Sequence, residues 1–181
     1  MLLLLDRDGV LNVDRSDFVK SPDELELIAG AAEAVARLSA AGWRLVVVTN
    51  QSVVGRGLID EAMLGHIHDK LRAEVRRAGG RLEDVIHCPD PPWAASEFRK
   101  PNPGMLLEAL RRYRAQAAAT PFVGDSLRDL EAATRVGCPR ILVRSGKGAA
   151  TQASGLPAQV LPVVVRDDLA AAAAALLGGE Q

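Results

Sequence analysis

The chain begins with four consecutive leucines, Leu2–Leu5, that lead directly into the charged sequence Asp6-Arg7-Asp8-Gly9. A short run of purely aliphatic residues is typical of a β-strand that is covered on both faces, as in a parallel sheet. Side chains alternate along an extended chain, so Asp6 and Asp8 can point the same way, and Gly9 lets the backbone leave the strand sharply. Ligands of open α/β sheets bind beyond the carboxyl ends of the strands. The two carboxylates are therefore predicted to face a ligand crevice.

The length and charge of the chain limit its organisation and its partners. With 181 residues it fits one domain, which we expect to span residues 1–181. The net charge of −1 gives no indication of nucleic acid or a membrane as a partner. Cys88 and Cys138 do not form a disulfide framework, and no targeting segment is recognisable. We therefore expect a cytoplasmic protein, with a monomer as the default state.

The rest of the sequence alternates between short apolar runs and amphipathic or alanine-rich segments. Strands are predicted at residues 2–5, 43–48, 82–88, 121–124, 140–143 and 160–165. Helices are predicted at 30–41, at 60–78 with Asp60 as the N-cap, at 103–118, between the fourth and fifth strands, and at the C-terminal end. Strands that alternate with helices form a parallel sheet with crossover connections. The sequence therefore predicts an α/β fold.

Polar residues are concentrated at the ends of three predicted strands and in one loop. They are Asp6 and Asp8, Thr49 and Asn50, Asp125 and Asp129, and, in the loop, Arg99 and Lys100. Because parallel strands end at one edge of the sheet, we expect these groups to share that edge. Carboxylates suit Mg²⁺, which commonly shares its ligands with a substrate phosphate, and a lysine ammonium can bind a phosphoryl oxygen. Together these groups match the requirements of phosphoryl transfer.

The motifs Asp6-Arg7-Asp8-Gly9, Thr49, Lys100-Pro101 and Gly124-Asp125 followed by Asp129 occur in an order that resembles the haloacid dehalogenase superfamily. The longer strings at 6–12, 49–57 and 99–105 are similar to those of two groups of small phosphatases. One group removes the 7-phosphate of D-glycero-D-manno-heptose 1,7-bisphosphate, and the other acts on histidinol phosphate. The resemblance covers residues 2–147 and implies a Rossmann-like doubly wound sheet of the superfamily type, capless, with only a short flap.

The resemblance also implies a chemistry, that of a Mg²⁺-dependent phosphomonoesterase with an aspartyl-phosphate intermediate. Asp6 would attack phosphorus, and Asp8 would act as general acid and then as general base. The Asp6 carboxylate, the Asp8 backbone carbonyl and Asp125 would hold Mg²⁺. Thr49 and Lys100 would steady the transferring phosphoryl group. The substrate would be a small phosphorylated sugar of heptose biosynthesis, a precursor of the lipopolysaccharide core.

Further residues receive supporting roles from the same resemblance. Asp129 would orient its neighbours. Substrate contacts are expected from Asn50, Gln51, Ser52 and Arg99, and from Asp14 and Phe18 in the flap, which is one residue longer here than in relatives. Two other basic residues receive no role in the site: Lys147 is expected to be a solvated loop lysine, and Arg56 is left open between the leaving group and the surface.

The chain departs from many relatives in the loop before Arg99. Those relatives carry Cys-x-His and Cys-x-Cys pairs that bind a structural Zn²⁺. Here Cys88 is retained, but Asp90 stands where histidine is expected, and Ser96 and Phe98 fall where the later cysteines would be. One thiolate does not make a closed tetrahedral site, so no structural Zn²⁺ is predicted. We expect Trp93 and Phe98 to anchor the loop through packing instead.

Three alternatives to a heptose bisphosphate phosphatase stay open. A histidinol-phosphate phosphatase is the nearest one. A polynucleotide 3′-phosphatase is less favoured, because it should show a basic groove and this chain is near neutral. A non-catalytic phosphosugar-binding homologue is disfavoured because a chain that had lost turnover would tend to lose at least one of Asp6, Asp8, Lys100 and Asp125.

Overall fold

The computed structural model describes residues 1–179 and is built around a six-stranded sheet with the order β3-β2-β1-β4-β5-β6. All five pairs of neighbouring strands are parallel. The strands are β1 (Leu2–Leu5), β2 (Arg44–Asn50), β3 (Asp84–Cys88), β4 (Phe122–Gly124), β5 (Arg140–Val143) and β6 (Val164–Arg166). The direction of strand addition reverses between β1 and β4, and ligands bind at such switch points. The predicted α/β, doubly wound parallel fold is confirmed.

Seven helices connect or flank the strands in the described part of the chain. They are α1 (Ala31–Ala40), α2 (Ser52–Gly55), α3 (Glu61–Arg77), α4 (Gly104–Tyr113), α5 (Leu127–Val136), α6 (Gly148–Ala153) and α7 (Leu169–Gly178). The segment between β1 and α1 contains only the short 3₁₀ turn Pro22–Glu24, so the fold has no cap domain there. No helix within residues 1–179 is both long enough and apolar enough to span a bilayer.

The central strand is covered on both faces, as the leucine run predicts. Leu3 and Leu5 belong to the apolar cluster that includes α1, α3 and α7, whereas Leu2 and Leu4 belong to the cluster with α4 and α5. All four leucines are at most 5% exposed. Burial of each such side chain stabilises the fold by roughly 1.5–3 kcal/mol, so β1 is a rigid support for the residues that follow it.

Several element boundaries differ from the predictions. The helix expected at 103–118 ends at Tyr113, because Arg114 adopts a left-handed conformation with φ 51°. The strand expected at 160–165 is confined to Val164–Arg166, since residues 158–160 form a 3₁₀ turn and Pro162 lacks a ladder donor. Asp60 caps α3 as predicted, accepting a hydrogen bond of 2.8 Å from the Met63 amide. The short helices α2 and α6 were not predicted, because four and six residues carry too little periodicity.

Candidate active site

The carboxylate at the end of β1 is held by a buried lysine. Asp6 Oδ2 lies 3.0 Å from Lys100 Nζ, and Asp6 Oδ1 accepts a hydrogen bond of 2.7 Å from the Arg7 amide. The Lys100 ammonium also lies 2.7 Å from Asp129 Oδ1 and donates to the Val48 carbonyl at 2.8 Å. The ammonium therefore has one hydrogen bond and two ion pairs, while the side chain is only 1% exposed. Because those two carboxylates outweigh the effect of burial, the pKa of Lys100 is raised and the residue stays charged.

The acidic residues after β4 have different surroundings. Asp129 Oδ2 accepts hydrogen bonds from the Ser126 amide at 3.1 Å and from its hydroxyl at 2.6 Å, closing a capping box at the start of α5. With its other oxygen on Lys100, Asp129 has both oxygens engaged. The Asp125 carboxylate accepts only one hydrogen bond from a described residue, at 2.8 Å from the Lys147 amide. Asp129 therefore supports Lys100, whereas Asp125 keeps lone pairs for another partner.

The acidic cluster fits a hard divalent cation. One carboxylate oxygen each of Asp6, Asp125 and Asp129 lies within 4.8 Å of the others. Burial, followed by the charges of Asp6 and Asp129, raises the pKa of Asp125 to about 8, and burial likewise raises the pKa of Asp6. A cation would remove this cost of ionisation. Gly9 has φ +79°, and a Cβ there would overlap Asp125 Oδ2, so the backbone makes room for the carboxylate. Asp6 and Asp125 are the carboxylates placed to hold Mg²⁺.

The second carboxylate of the first motif is fixed by four hydrogen bonds. Asp8 Oδ1 accepts from the Arg7 side chain at 2.8 and 3.3 Å and from the Asn12 amide at 2.9 Å. Asp8 Oδ2 accepts from Gln51 Nε2 at 2.8 Å. Burial raises the pKa of Asp8, but the Arg7 charge and these hydrogen bonds outweigh it, so the pKa is lowered. In the free protein Asp8 is therefore a well-ordered carboxylate.

The carboxyl end of β2 contributes a hydroxyl and an amide. Thr49 is 1% exposed, and its hydroxyl oxygen accepts a hydrogen bond of 3.0 Å from Gln51. The Asn50 side chain is paired with the Lys100 backbone in both directions, donating to the carbonyl at 2.9 Å and accepting from the amide at 3.0 Å. Asn50 lines the cavity, where a substrate contact is predicted for it, and both polar ends of its amide also fasten the Lys100 loop to β2.

These groups open into one cavity of about 570 Å³ at the carboxyl ends of the central strands. All the predicted catalytic, metal and substrate residues line it except Asp129, which is completely buried. Its charged lining comprises seven basic and four acidic side chains: Arg7, Arg15, Arg56, Arg99, Lys100, Arg128 and Lys147, with Asp6, Asp8, Asp14 and Asp125. The cavity is therefore electropositive, although the chain carries a net charge of −1.

Flap residues and a basic side chain form the rim of this cavity. Asp14 lies 2.6 Å from Lys147 Nζ. The Arg56 guanidinium lies 5.4 Å from the Phe18 ring centroid and 4.8 Å from that of Trp93, distances typical of cation–π contacts. Lys147 is exposed, as expected of a loop lysine, but it also makes contacts that the sequence did not predict: its amide donates to Asp125, and its ammonium pairs with Asp14 of the flap. Arg56 faces the rim of the cavity.

The loop between β3 and Lys100 is held by polar contacts rather than by aromatic packing. Trp93 and Phe98 are 69% and 44% exposed, so the expectation that they anchor the loop by burial is wrong. Instead, Asp90 accepts a hydrogen bond of 2.9 Å from the Ser96 amide, and Arg99 donates to the Asp90 carbonyl at 2.7 Å. Polar loop residues can satisfy their own backbone groups locally, which removes the need for a buried aromatic anchor.

Some residues of the site were not found from the sequence. Arg7 lies between Asp6 and Asp8, and Arg128 lies between Asp125 and Asp129. Their places within these two motifs could have indicated that both arginines belong to the site. His68 gave no such signal: it lies on α3, 61 residues from Arg7, and a single buried histidine has no distinguishing pattern.

A parallel sheet with this strand order and this acidic site defines a class of protein, the hydrolases of the haloacid dehalogenase type. The model of the HAD-hydrolase-like family matches residues 97–172. The D-glycero-β-D-manno-heptose-1,7-bisphosphate 7-phosphatase of Pseudomonas aeruginosa is 46% identical over 176 residues, 97% of each chain. The enzyme of that name from Bordetella bronchiseptica is 47% identical over 178 residues, 97% of each chain. The chain belongs to the family of these heptose bisphosphate phosphatases.

A solved structure agrees with this assignment. The D,D-heptose 1,7-bisphosphate phosphatase of B. bronchiseptica, complexed with magnesium and phosphate, superimposes with a TM-score of 0.94 at 46% identity and covers 98% of each chain. The resemblance seen in the sequence is thus confirmed, as is the prediction of an Mg²⁺-type phosphatase site.

Proposed function

We propose that this protein removes the 7-phosphate of D-glycero-β-D-manno-heptose 1,7-bisphosphate. The observation that carries the proposal is the meeting of Asp6, Asp8, Asp125 and Lys100 in one electropositive cavity at the switch point of the sheet. The names of the relatives that are 43–47% identical supply the substrate and its β anomer.

The proposed mechanism has two steps. Asp6 attacks phosphorus and forms an aspartyl-phosphate while the bond from phosphorus to the sugar oxygen breaks, and Asp8 protonates that oxygen. Asp8 then takes a proton from water, the water attacks the aspartyl-phosphate, and inorganic phosphate leaves as the Asp6 carboxylate is regenerated. A phosphate dianion beside Asp8 raises its pKa, which supplies the protonated form that the first step needs.

The other residues neutralise and orient the phosphoryl group. Lys100 offsets the charge of Asp6 and Asp129. Thr49 lies close to Asp8, because Gln51 Nε2 donates to both the Thr49 hydroxyl and the Asp8 carboxylate. Mg²⁺, held by the carboxylates of Asp6 and Asp125 and by the Asp8 backbone carbonyl, would polarise a phosphoryl oxygen as a Lewis acid.

The basic rim supports a substrate with a second phosphate. Arg56, Arg99 and Arg128 line the same cavity, and burial, together with the charges of Arg128 and Arg56, lowers the pKa of Arg99. Clustered cations of this kind are stabilised by a bound anion. We assign the distal phosphate to Arg99, with Gln51, Ser52 and the flap residues Asp14 and Phe18 around the sugar.

A substrate panel tests this proposal. The kcat/KM values are compared for both heptose bisphosphate anomers, histidinol phosphate and a 3′-phosphorylated oligonucleotide, with Mg²⁺ present. We expect the β anomer to be preferred and ³¹P NMR to show that the 1-phosphate remains on the product. A preference for histidinol phosphate or for the oligonucleotide would overturn the substrate. Binding without turnover of any phosphomonoester would favour the non-catalytic homologue.

Three broader properties are proposed with this function. The chain acts as a single domain over residues 1–181, as a monomer, in the cytoplasm; the free, buried thiols of Cys88 and Cys138 suit a reducing compartment. Light scattering of the purified protein tests the monomer.

We also propose that the chain binds no structural Zn²⁺. Burial raises the pKa of the Cys88 thiol, whereas a zinc ligand must be a thiolate. Metal analysis after purification without added metal should find no stoichiometric zinc; one zinc per chain would contradict the proposal.

A further inference from the structure

We propose that Arg7 and His68 form a buried positioning pair that fixes the general acid Asp8, so that one oxygen, Oδ2, handles the proton in catalysis. The inference rests on the proposed phosphatase function, and it assigns a role to two side chains that the mechanism above does not use.

The Arg7 side chain is directed at two partners. It is 1% exposed, and it donates to Asp8 Oδ1 through Nη2 at 2.8 Å and through Nε at 3.3 Å. Its Nη1 lies 3.3 Å from His68 Nε2. A guanidinium buried to this degree must be paired, because an unpaired charge is strongly destabilised when it is removed from water. Asp8 and His68 supply that pairing from opposite ends of the group.

His68 acts as a neutral acceptor in this pair. A guanidinium has only N–H donors, so the Nε2 lone pair must accept and the ring proton resides on Nδ1. The ring comes from α3 and is 5% exposed. Burial, followed by the charge of Arg7 and the neighbouring His87, lowers the pKa of His68 to about 3, so the ring keeps that lone pair. His68 thereby determines the direction in which Arg7 presents its other N–H groups.

The consequence is an asymmetric carboxylate. Asp8 Oδ1 receives hydrogen bonds from Arg7 Nε, Arg7 Nη2 and Asn12, which is more than its two lone pairs can accept in ideal geometry. Oδ2 receives one, from Gln51, and that same nitrogen also contacts the Thr49 hydroxyl at 3.0 Å. Oδ2 therefore retains a free lone pair beside Thr49, and it is the oxygen that can carry a proton to the leaving group.

The test measures the single-turnover rate of phosphoryl transfer to Asp6 by rapid quench and compares that rate between two kinds of ester. A primary alkyl phosphate such as the heptose 7-phosphate needs protonation of its leaving oxygen, whereas 4-nitrophenyl phosphate does not. General acid catalysis contributes about 10²–10⁴-fold, so misdirecting Asp8 should slow the alkyl ester by about tenfold or more. For His68→Leu we expect that loss with an unchanged KM and an aryl rate within about twofold of wild type.

Two variants complete the comparison. His68→Gln, whose amide oxygen can accept from Arg7, should restore most of the alkyl rate. His66→Leu makes the same change on the exposed face of α3 and should leave both rates unchanged. If His68→Leu does not fold, His68→Asn, which is too short to reach Arg7, should show the same loss confined to the alkyl ester.

Equal losses on both esters would assign His68 a purely structural role, and no loss on either would show that the pair does not position Asp8; each result overturns the inference. The alkyl-ester rate is measured with whichever primary alkyl phosphate the wild type hydrolyses and is then compared with the rate for 4-nitrophenyl phosphate. Failure of the wild type on the heptose bisphosphate alone would therefore overturn the proposed substrate and not the pair.

Discussion

At the scale of single residues, the site depends on charges that are buried and matched. Lys100 offsets two carboxylates, whereas the Asp125 carboxylate has one hydrogen bond and a raised pKa, so the site is complete only with a further cation. The space for that cation depends on Gly9, where a side chain would displace the Asp125 carboxylate.

Gly9→Ala should therefore abolish Mg²⁺-dependent activity and the rise in melting temperature that Mg²⁺ gives. Its matched control is Gly42→Ala, because Gly42 has nearly the same φ of +82° but nothing within 4 Å of an added Cβ. Both variants should lose about 1–2 kcal/mol of unfolding free energy to left-handed strain. Only Gly9→Ala should lose activity, measured with 4-nitrophenyl phosphate; similar activity in the two variants would contradict the role of Gly9.

The residues that sequence reasoning could place are those fixed by strand geometry. Asp6, Thr49 and Asp125 follow or end buried parallel strands, and such strands must end at one edge. Arg7 and His68 could not be placed, because their contact joins positions that are 61 residues apart and depends on how α3 packs on the sheet. Tertiary packing of this kind leaves no local pattern in a single sequence.

At the scale of elements, the sheet and helices position the site, and the connections between them carry many of the residues that line the cavity. In the loop 89–99, the Asp90 carboxylate accepts a hydrogen bond from the Ser96 amide and its carbonyl accepts one from Arg99, and these bonds fasten the loop. The aromatic residues of this loop were misjudged because an exposed tryptophan and a buried one look alike in a sequence.

Asp90→Ala removes the side-chain hydrogen bond to the Ser96 amide, which should loosen the loop and shift Arg99. KM for the heptose bisphosphate should then rise by about fivefold to tenfold, which corresponds to the net contribution of about one ordinary hydrogen bond. KM for 4-nitrophenyl phosphate, which has no second phosphate, should change by less than twofold. Glu97→Ala, an exposed acid in the same loop, is the control. A parallel rise for both substrates would exclude a role confined to the distal phosphate.

At the scale of the whole molecule, stability, pH and metal are linked through the acidic cluster. The folded protein without Mg²⁺ holds a proton on Asp125 up to a pH of about 8, whereas an ordinary aspartate loses it near 3.8. Between these values the folded state binds more protons than the unfolded state, so unfolding free energy falls as pH rises. The loss is complete above the folded-state pKa.

The unfolding free energy of the Mg²⁺-free protein should therefore fall by on the order of 1–3 kcal/mol between pH 6 and pH 9. The melting temperature should decrease over the same range. Excess Mg²⁺ should stabilise most at pH 9, because it binds the ionised carboxylates and competes with protons. Scanning fluorimetry across this range, with Mg²⁺ or with EDTA, measures both effects. Asp125→Asn should make the pH profile shallower, leaving the part that Asp6 contributes through its own raised pKa, and it should remove the Mg²⁺ response. Asp23→Asn on the exposed surface should preserve both effects. A flat profile in EDTA between pH 6 and pH 9 would contradict the raised pKa of Asp125, because a carboxylate with an ordinary or lowered pKa is ionised in both the folded and the unfolded state throughout this range.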